Sequence, residues 1–70
     1  MSTFRDRLVA ESSELNDKIM KLDAFLKTEN FNKIKPEQQS LLKVQYLTMQ
    51  TYGQILFERI TWLEKEEVQK

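Results

Sequence analysis

From Pro36 to Leu63 the chain reads PEQQSLLKVQYLTMQTYGQILFERITWL, a helical pattern with more apolar surface than one neighbour can cover. At about 100° per residue, Leu42, Met49, Leu56 and Ile60 fall on one line, and Leu41, Tyr52, Ile55 and Trp62 fall beside it. With Tyr46, Phe57 and Leu63 the apolar face spans well over half of the cylinder, whereas a helix packed on one partner needs a stripe of about 100° or slightly more. The polar remainder, Lys43, Gln50, Gln54, Glu58, Thr61 and Lys65, is narrow, and Leu47 interrupts it. Such a helix is expected to pack on the rest of its own chain and also on other chains.

Seventy residues make at most one domain. A chain of that length buries only about 60% of its unfolded surface, so a core of its own is marginal. The sequence has no Cys and no His, which removes disulfides, thiolate metal sites, the commonest metal ligand and the usual general base. Self-association is the usual substitute. Eleven basic and eleven acidic residues cancel, so the broad positive field of a protein that grips long nucleic acid is missing, while local anion sites stay open to it. No apolar run of about 18 residues exists for a membrane span, and Met1 to Ala10 lacks the apolar core of a signal peptide. The expectation is a cytosolic protein with no membrane partner.

Ser2 and Thr3 are candidate caps for a first helix over about 4–28, and Thr3 with Asp6 approximates a capping box. Leu8, Ser12, Leu15, Ile19, Leu22 and Leu26 follow at alternating four and three spacing, the seam of a left-handed helix pair. Ser12 alone breaks it, through close helix approach or a ligand contact. Val9, Met20 and Phe25 widen the apolar face, and Glu14 with Lys18 and Asp17 with Lys21 form favourable i,i+4 pairs on a solvated face. Residues 29–35 read as a connection, with Phe31 and Ile34 folding back to plug that end. Pro36 and Glu37 suit the first turn of a second helix over about 36–66. Gly53 in mid-helix signals either close crossing or room for a ligand. Beyond Leu63 the chain turns polar and is expected to fray.

The expected fold is therefore all-α: a single antiparallel helical hairpin of two unequal helices, assembling as a coiled-coil-like bundle into a homo-oligomer. The second helix, the longer, is expected to overhang the first at Ile60, Trp62 and Leu63, which then need a neighbouring subunit or the segment before Leu8.

The composition argues against an enzyme, because Ser-His and Cys-His catalysis are excluded and one glycine builds no phosphate loop. Carboxylate pairs such as Asp6 with Glu11 or Glu64 with Glu67 sit at helix ends as solvated charge, so no metal and no cofactor is expected. Two clusters carry more information. Gln45, Thr48, Tyr52 and Arg59 share a polar line inside the apolar face of the second helix. A buried Arg59 requires a partner, either Glu11 or Glu14 as a structural ion pair, or a phosphate or base at a subunit boundary. Phe4-Arg5-Asp6-Arg7 places an aromatic ring and two guanidiniums on a first helical turn, where anions are favoured; the alternative is a solvated, partly frayed turn.

The series Arg7-Leu8-Val9-Ala10-Glu11, Leu15, Lys18-Ile19, Lys21-Leu22, Ala24-Phe25-Leu26, Phe31, Gln39, Leu41-Leu42, Gln45, Met49, Tyr52, Ile55-Leu56 and Arg59-Ile60 resembles a family of small phage and prophage helical proteins, a domain of unknown function seen in crAss-like phages. These are packing positions. In size and helical-hairpin form the chain is also similar to phage anti-CBASS and anti-Thoeris sponge proteins, and Gln45 and Met49 repeat the spacing of a Gln and a Met in their second helix. It lacks the small arginine-containing segment that follows in those sponges, and none of their nucleotide contacts carries over position by position. What the resemblance implies is a cytosolic anti-defence sponge, a dimer to hexamer that holds a cyclic or NAD-derived nucleotide signal between subunits without cleaving it. Arg5 and Arg7 would then hold phosphate, Phe4 or Tyr52 would stack on the base, and Arg59 with Gln45 would form polar walls. The alternatives are an oligomeric helical protein that binds a host or phage protein, and a small RNA-binding hairpin dimer resembling the Rop family.

Overall fold

The computed structural model describes residues 3–68, with side chains through Lys65. Among the described residues the protein is all-α, with no strand: α1 spans Phe4–Leu26, α2 Glu29–Lys33 and α3 Pro36–Val68. Ser2, the alternative cap, and the last two residues lie outside the described range. Among the described residues, no helix is long and apolar enough to cross a membrane.

At the start of α1 the Thr3 hydroxyl accepts the Asp6 N–H at 3.1 Å, and the Asp6 carboxylate accepts the Thr3 N–H at 3.2 Å. This reciprocal box satisfies two N–H groups that a helix start otherwise leaves to water. The helix ends at Leu26, two residues before the periodic pattern fades. Thr28 is the cause. Its hydroxyl and its N–H both turn back to the Phe25 carbonyl, at 2.7 and 3.0 Å, while its own backbone is extended at φ −92° and ψ 161°. A local side-chain bond of this kind competes with helix continuation.

The segment expected to be a plain connection contains the helical turn α2. Its central residue Phe31 is buried, and the Phe25 ring meets it edge-on, 6.1 Å between centroids at 89°. The Lys43 ammonium lies 5.7 Å from the same ring. The Gln39 amide donates to the Ile34 carbonyl at 3.0 Å and the Asn32 carbonyl at 3.4 Å, which ties the end of α2 to the first turns of α3.

Arg5 of α1 meets Glu64 of α3 at 2.6 Å, and Asp23 of α1 accepts the Tyr46 hydroxyl at 3.1 Å, so the two helices pair over equal lengths in opposite directions. This register corrects the expected overhang. The extra length of α3 lies at its start, where α2 covers it, and the first turns of α1 reach Ile60 and Leu63. Trp62 alone of the three stays exposed.

The core is thin. Leu8, Leu15 and Leu56 form its buried centre, with Ile19, Met49, Ile60 and Leu63 packed around them. Val9 and Met20 do not widen it; both are exposed. The radius of gyration is 16.0 Å, against about 11 Å for a compact chain of this length, and the extents are 54 × 21 × 15 Å.

Gly53 is half-buried where α3 passes Leu15 and Ile19. A Cβ there would sit 3.5 Å from Ile19 Cδ1 and 3.8 Å from Leu15 Cδ2, both ordinary contact distances, so the crossing does not require glycine. Gly53→Ala is expected to stabilise the fold by about 0.5–1 kcal/mol through helix propensity. A lower urea midpoint would mean that Leu15 and Ile19 do not accommodate the added methyl group.

Among the described residues the expected pairs Glu14 with Lys18 and Asp17 with Lys21 are not formed. The i,i+4 pair that does form is Asp23 with Lys27, at 3.0 Å. The Tyr46 hydroxyl already orients the Asp23 carboxylate, whereas Glu14 and Asp17 stand on an open face where holding two long side chains costs entropy. The Lys27 bond first, and the Tyr46 bond second, hold the Asp23 carboxyl below the ordinary aspartate value of 3.8. That contribution to stability is complete above the unfolded value and is lost as pH falls through the depressed folded value. The same Asp23 bond raises the Tyr46 hydroxyl above its usual 10.0; its contribution is complete below pH 10 or so and is lost as pH rises through the raised value. Tyr46→Phe is expected to move the acid limb of thermal unfolding to higher pH, as read by circular dichroism. An unchanged profile below about pH 5 would mean the bond does not persist in solution.

Candidate functional site

Between the first turns of α1 and the far turns of α3 lies an open cleft of about 360 Å³. From α1 it is lined by Phe4 and Leu8, one turn apart; from α3 it is lined by Ile55, Glu58, Arg59, Trp62 and Leu63. The spacing of three and four on α3 puts Ile55, Arg59 and Trp62 on one flank of that helix. The register described above brings the α1 cap opposite them, and the volume falls within the range of about 300–1,000 Å³ usual for small-molecule sites.

The Arg59 guanidinium stands 5.7 Å from the centroid of the Phe4 ring. Arg59 is exposed, which corrects the expectation of a buried charge, and it does not pair with Glu11 or Glu14. Stacked on the ring face it keeps water on its other side, so no carboxylate is needed to compensate it. On the rim, the Lys65 ammonium lies 4.8 Å from the Trp62 ring. Arg5 and Glu64 form the bridge beside the cleft, so Arg5 is held on α3. The floor is apolar where Leu8 and Leu63 meet the core.

Of the six residues singled out from the sequence, the structure places Phe4 and Arg59 in the cleft and Arg5 next to it. Arg7 is exposed on the same first turn but outside the lining. Tyr52 is exposed along α3, one turn beyond Ile55. Gln45 is farther still, and its amide donates weakly to Met49 Sδ at 3.8 Å. Within one chain, Gln45 and Arg59 are about 21 Å apart along the helix axis at about 1.5 Å per residue. Trp62, Glu58 and Lys65 were not recognised as site residues. The signal was present in the single Trp placed four residues after Glu58 and three before Lys65, but it becomes a site only opposite Phe4.

A second groove of about 410 Å³ runs along the other flank of α3, over Ser12, Asn16, Gly53, Gln50, Gln54 and Phe57. Gly53 opens its floor. It offers amide and hydroxyl groups and one ring but no cation, so it is less suited to an anion than the Phe4–Arg59 cleft.

These features define a small all-α protein with an aromatic and cationic cleft at the end remote from its helix connection. A family model described as Sequestin matches residues 2–62, and the chain belongs to the Sequestin family. No curated protein matches the chain, and no solved structure does.

Proposed function

We propose that the protein is a phage-encoded sponge that captures a cyclic or NAD-derived nucleotide defence signal and holds it without cleaving it, as a homo-oligomer of helical hairpins in the host bacterial cytosol. The observation that carries this reading is the Phe4–Arg59–Trp62 cleft, in a chain whose family name denotes sequestration. A base has two aromatic faces to stack on, at Phe4 and Trp62, and stacking is worth about 1–3 kcal/mol per base. The Arg59 guanidinium matches phosphate oxygens in pairs, and Arg5, Arg7 and Lys65 add positive field around it. Glu58 can accept hydrogen bonds from a ribose hydroxyl or a base amino group. Tyr52 and Gln45 enter at a subunit boundary. With no His and no Cys, the chain has neither the usual base nor the thiolate nucleophile with which to break such a ligand.

Native mass spectrometry of the protein with cyclic di- and trinucleotides and cyclic ADP-ribose isomers tests this. A discrete oligomer is expected to retain one of them in fixed ratio and to release it chemically intact on denaturation. Retention of none, or release of a cleaved product, would overturn the reading.

A second reading is favoured by Met20, Leu47 and Phe57, large apolar side chains exposed outside the cleft. In that case the assembly is an interaction protein for a host or phage helix. A specific protein partner, recovered with no small molecule bound, would support it.

A further inference from the structure

The second groove, on the flank of α3 away from the cleft, concentrates uncharged hydrogen-bonding groups. Ser12 and Asn16 stand one turn apart on α1, Gln50 and Gln54 stand one turn apart on α3, and the Phe57 ring closes the end of the row. No charged side chain belongs to the lining. Among the described residues, none of these four polar side chains forms a hydrogen bond to another protein group. Two amides outside the groove are by contrast committed, Gln39 to the Ile34 carbonyl and Gln45 to Met49.

Gly53 lies between them. Packing on α1 does not require it, since a Cβ would meet Ile19 and Leu15 at ordinary contact distances. A glycine in mid-helix nonetheless weakens the helix. What its bare backbone provides is a floor on which a flat group can lie closer to α3 than a side chain would permit.

We propose that this groove is a second binding site, for an uncharged purine base whose edge presents an amino donor beside a ring acceptor, as that of adenine does. Its volume of about 410 Å³ falls in the range usual for small-molecule sites. Phe57 is 62% exposed and offers a stacking face. A side-chain amide carries both an acceptor and donors, so Gln50, Gln54 or Asn16 can accept from the exocyclic amino group and donate to the neighbouring ring nitrogen at once. A phosphate finds no cation here, and taking an anion out of water without one is costly. The groove therefore selects base rather than charge, the reverse of the cleft. At about 100° per residue, Gly53 and Phe57 lie about 120° or more around α3 from Ile55, Arg59 and Trp62, so a ring held here does not reach that flank. The site stands whether or not the cleft holds a nucleotide.

The chain supplies its own reporters, because its one glycine lies in the groove and its one tryptophan in the cleft. Isotope-labelled full-length protein is titrated with adenosine, which carries no phosphate, and followed by NMR. The Gly53 amide signal is expected to shift and saturate while the Trp62 indole signal stays in place. Inosine, with a carbonyl oxygen where adenosine has the amino group, is expected to bind about tenfold more weakly. Gly53→Ala, the more stable variant, is expected to lose about tenfold or more in adenosine affinity by equilibrium dialysis, because one added methyl group fills the floor. Phe57→Ala should lose a comparable factor through stacking. A merely structural glycine would not move stability and affinity in opposite directions. Adenosine that shifts the Trp62 signal but not Gly53, or shifts neither, would overturn the proposal, as would undiminished affinity in Gly53→Ala or equal affinity for inosine. None of those results would count against the sponge reading, whose ligand is held through its phosphates in the other cleft.

Discussion

Leu56→Ala is expected to lose about 3–5 kcal/mol of stability, the upper part of the range for truncating a buried leucine. Leu56 is 0% exposed and sits between Leu8 and Leu15, so little can relax into the space it would leave. A core of this size supplies only about 3–5 kcal/mol in total, and the variant is therefore expected to be largely unfolded at 25 °C. Far-UV circular dichroism with a urea titration measures this. Leu47→Ala is the matched control: Leu47 is 62% exposed on the opposite side of the same helix, and its loss is expected to change stability by no more than about 0.5 kcal/mol. Equal losses from the two variants would mean that the α1–α3 contact is not what holds the fold.

The second large effect concerns the cleft. Arg59→Ala is expected to weaken nucleotide binding by about 10- to 100-fold, the loss of a charged hydrogen-bond donor worth about 1.5–3 kcal/mol. Folding stability should barely change, because the guanidinium is exposed and its contact is with the Phe4 ring. Arg59→Lys keeps the charge but loses the planar fork, and should recover only part of the affinity. Trp62→Ala is expected to cost a similar amount through lost stacking. Arg7→Ala should cost at most a few-fold, since Arg7 stands outside the lining. Calorimetry with the ligand found by mass spectrometry gives all four values. Full affinity in both Arg59→Ala and Trp62→Ala would move the site elsewhere, the second groove over Gly53 being the alternative.

The ends of the helices were legible where local chemistry decides them. Thr3 and Asp6 form the box their spacing suggests, and Pro36 opens α3. The end of α1 was not, because the apolar periodicity carries no sign of the Thr28 hydroxyl turning back to the Phe25 carbonyl. Of the seven residues that line the cleft, two were singled out from the sequence. Phe4 and Arg59 are both conspicuous in the sequence, but nothing local says that they touch.

What the sequence alone determined is the class of the fold and the excess of apolar surface on α3. Both follow from periodicity and composition, and both survive any rigid shift of one helix along the other. Register is different. Sliding α1 by one turn keeps nearly every leucine in contact with another, so the apolar pattern barely distinguishes the alternatives. The choice was made by contacts between residues far apart in the chain: Tyr46 on Asp23 toward one end, and Arg5 on Glu64 at the other. Those contacts, available only in the folded chain, set Phe4 over Arg59 and left Trp62 facing outward.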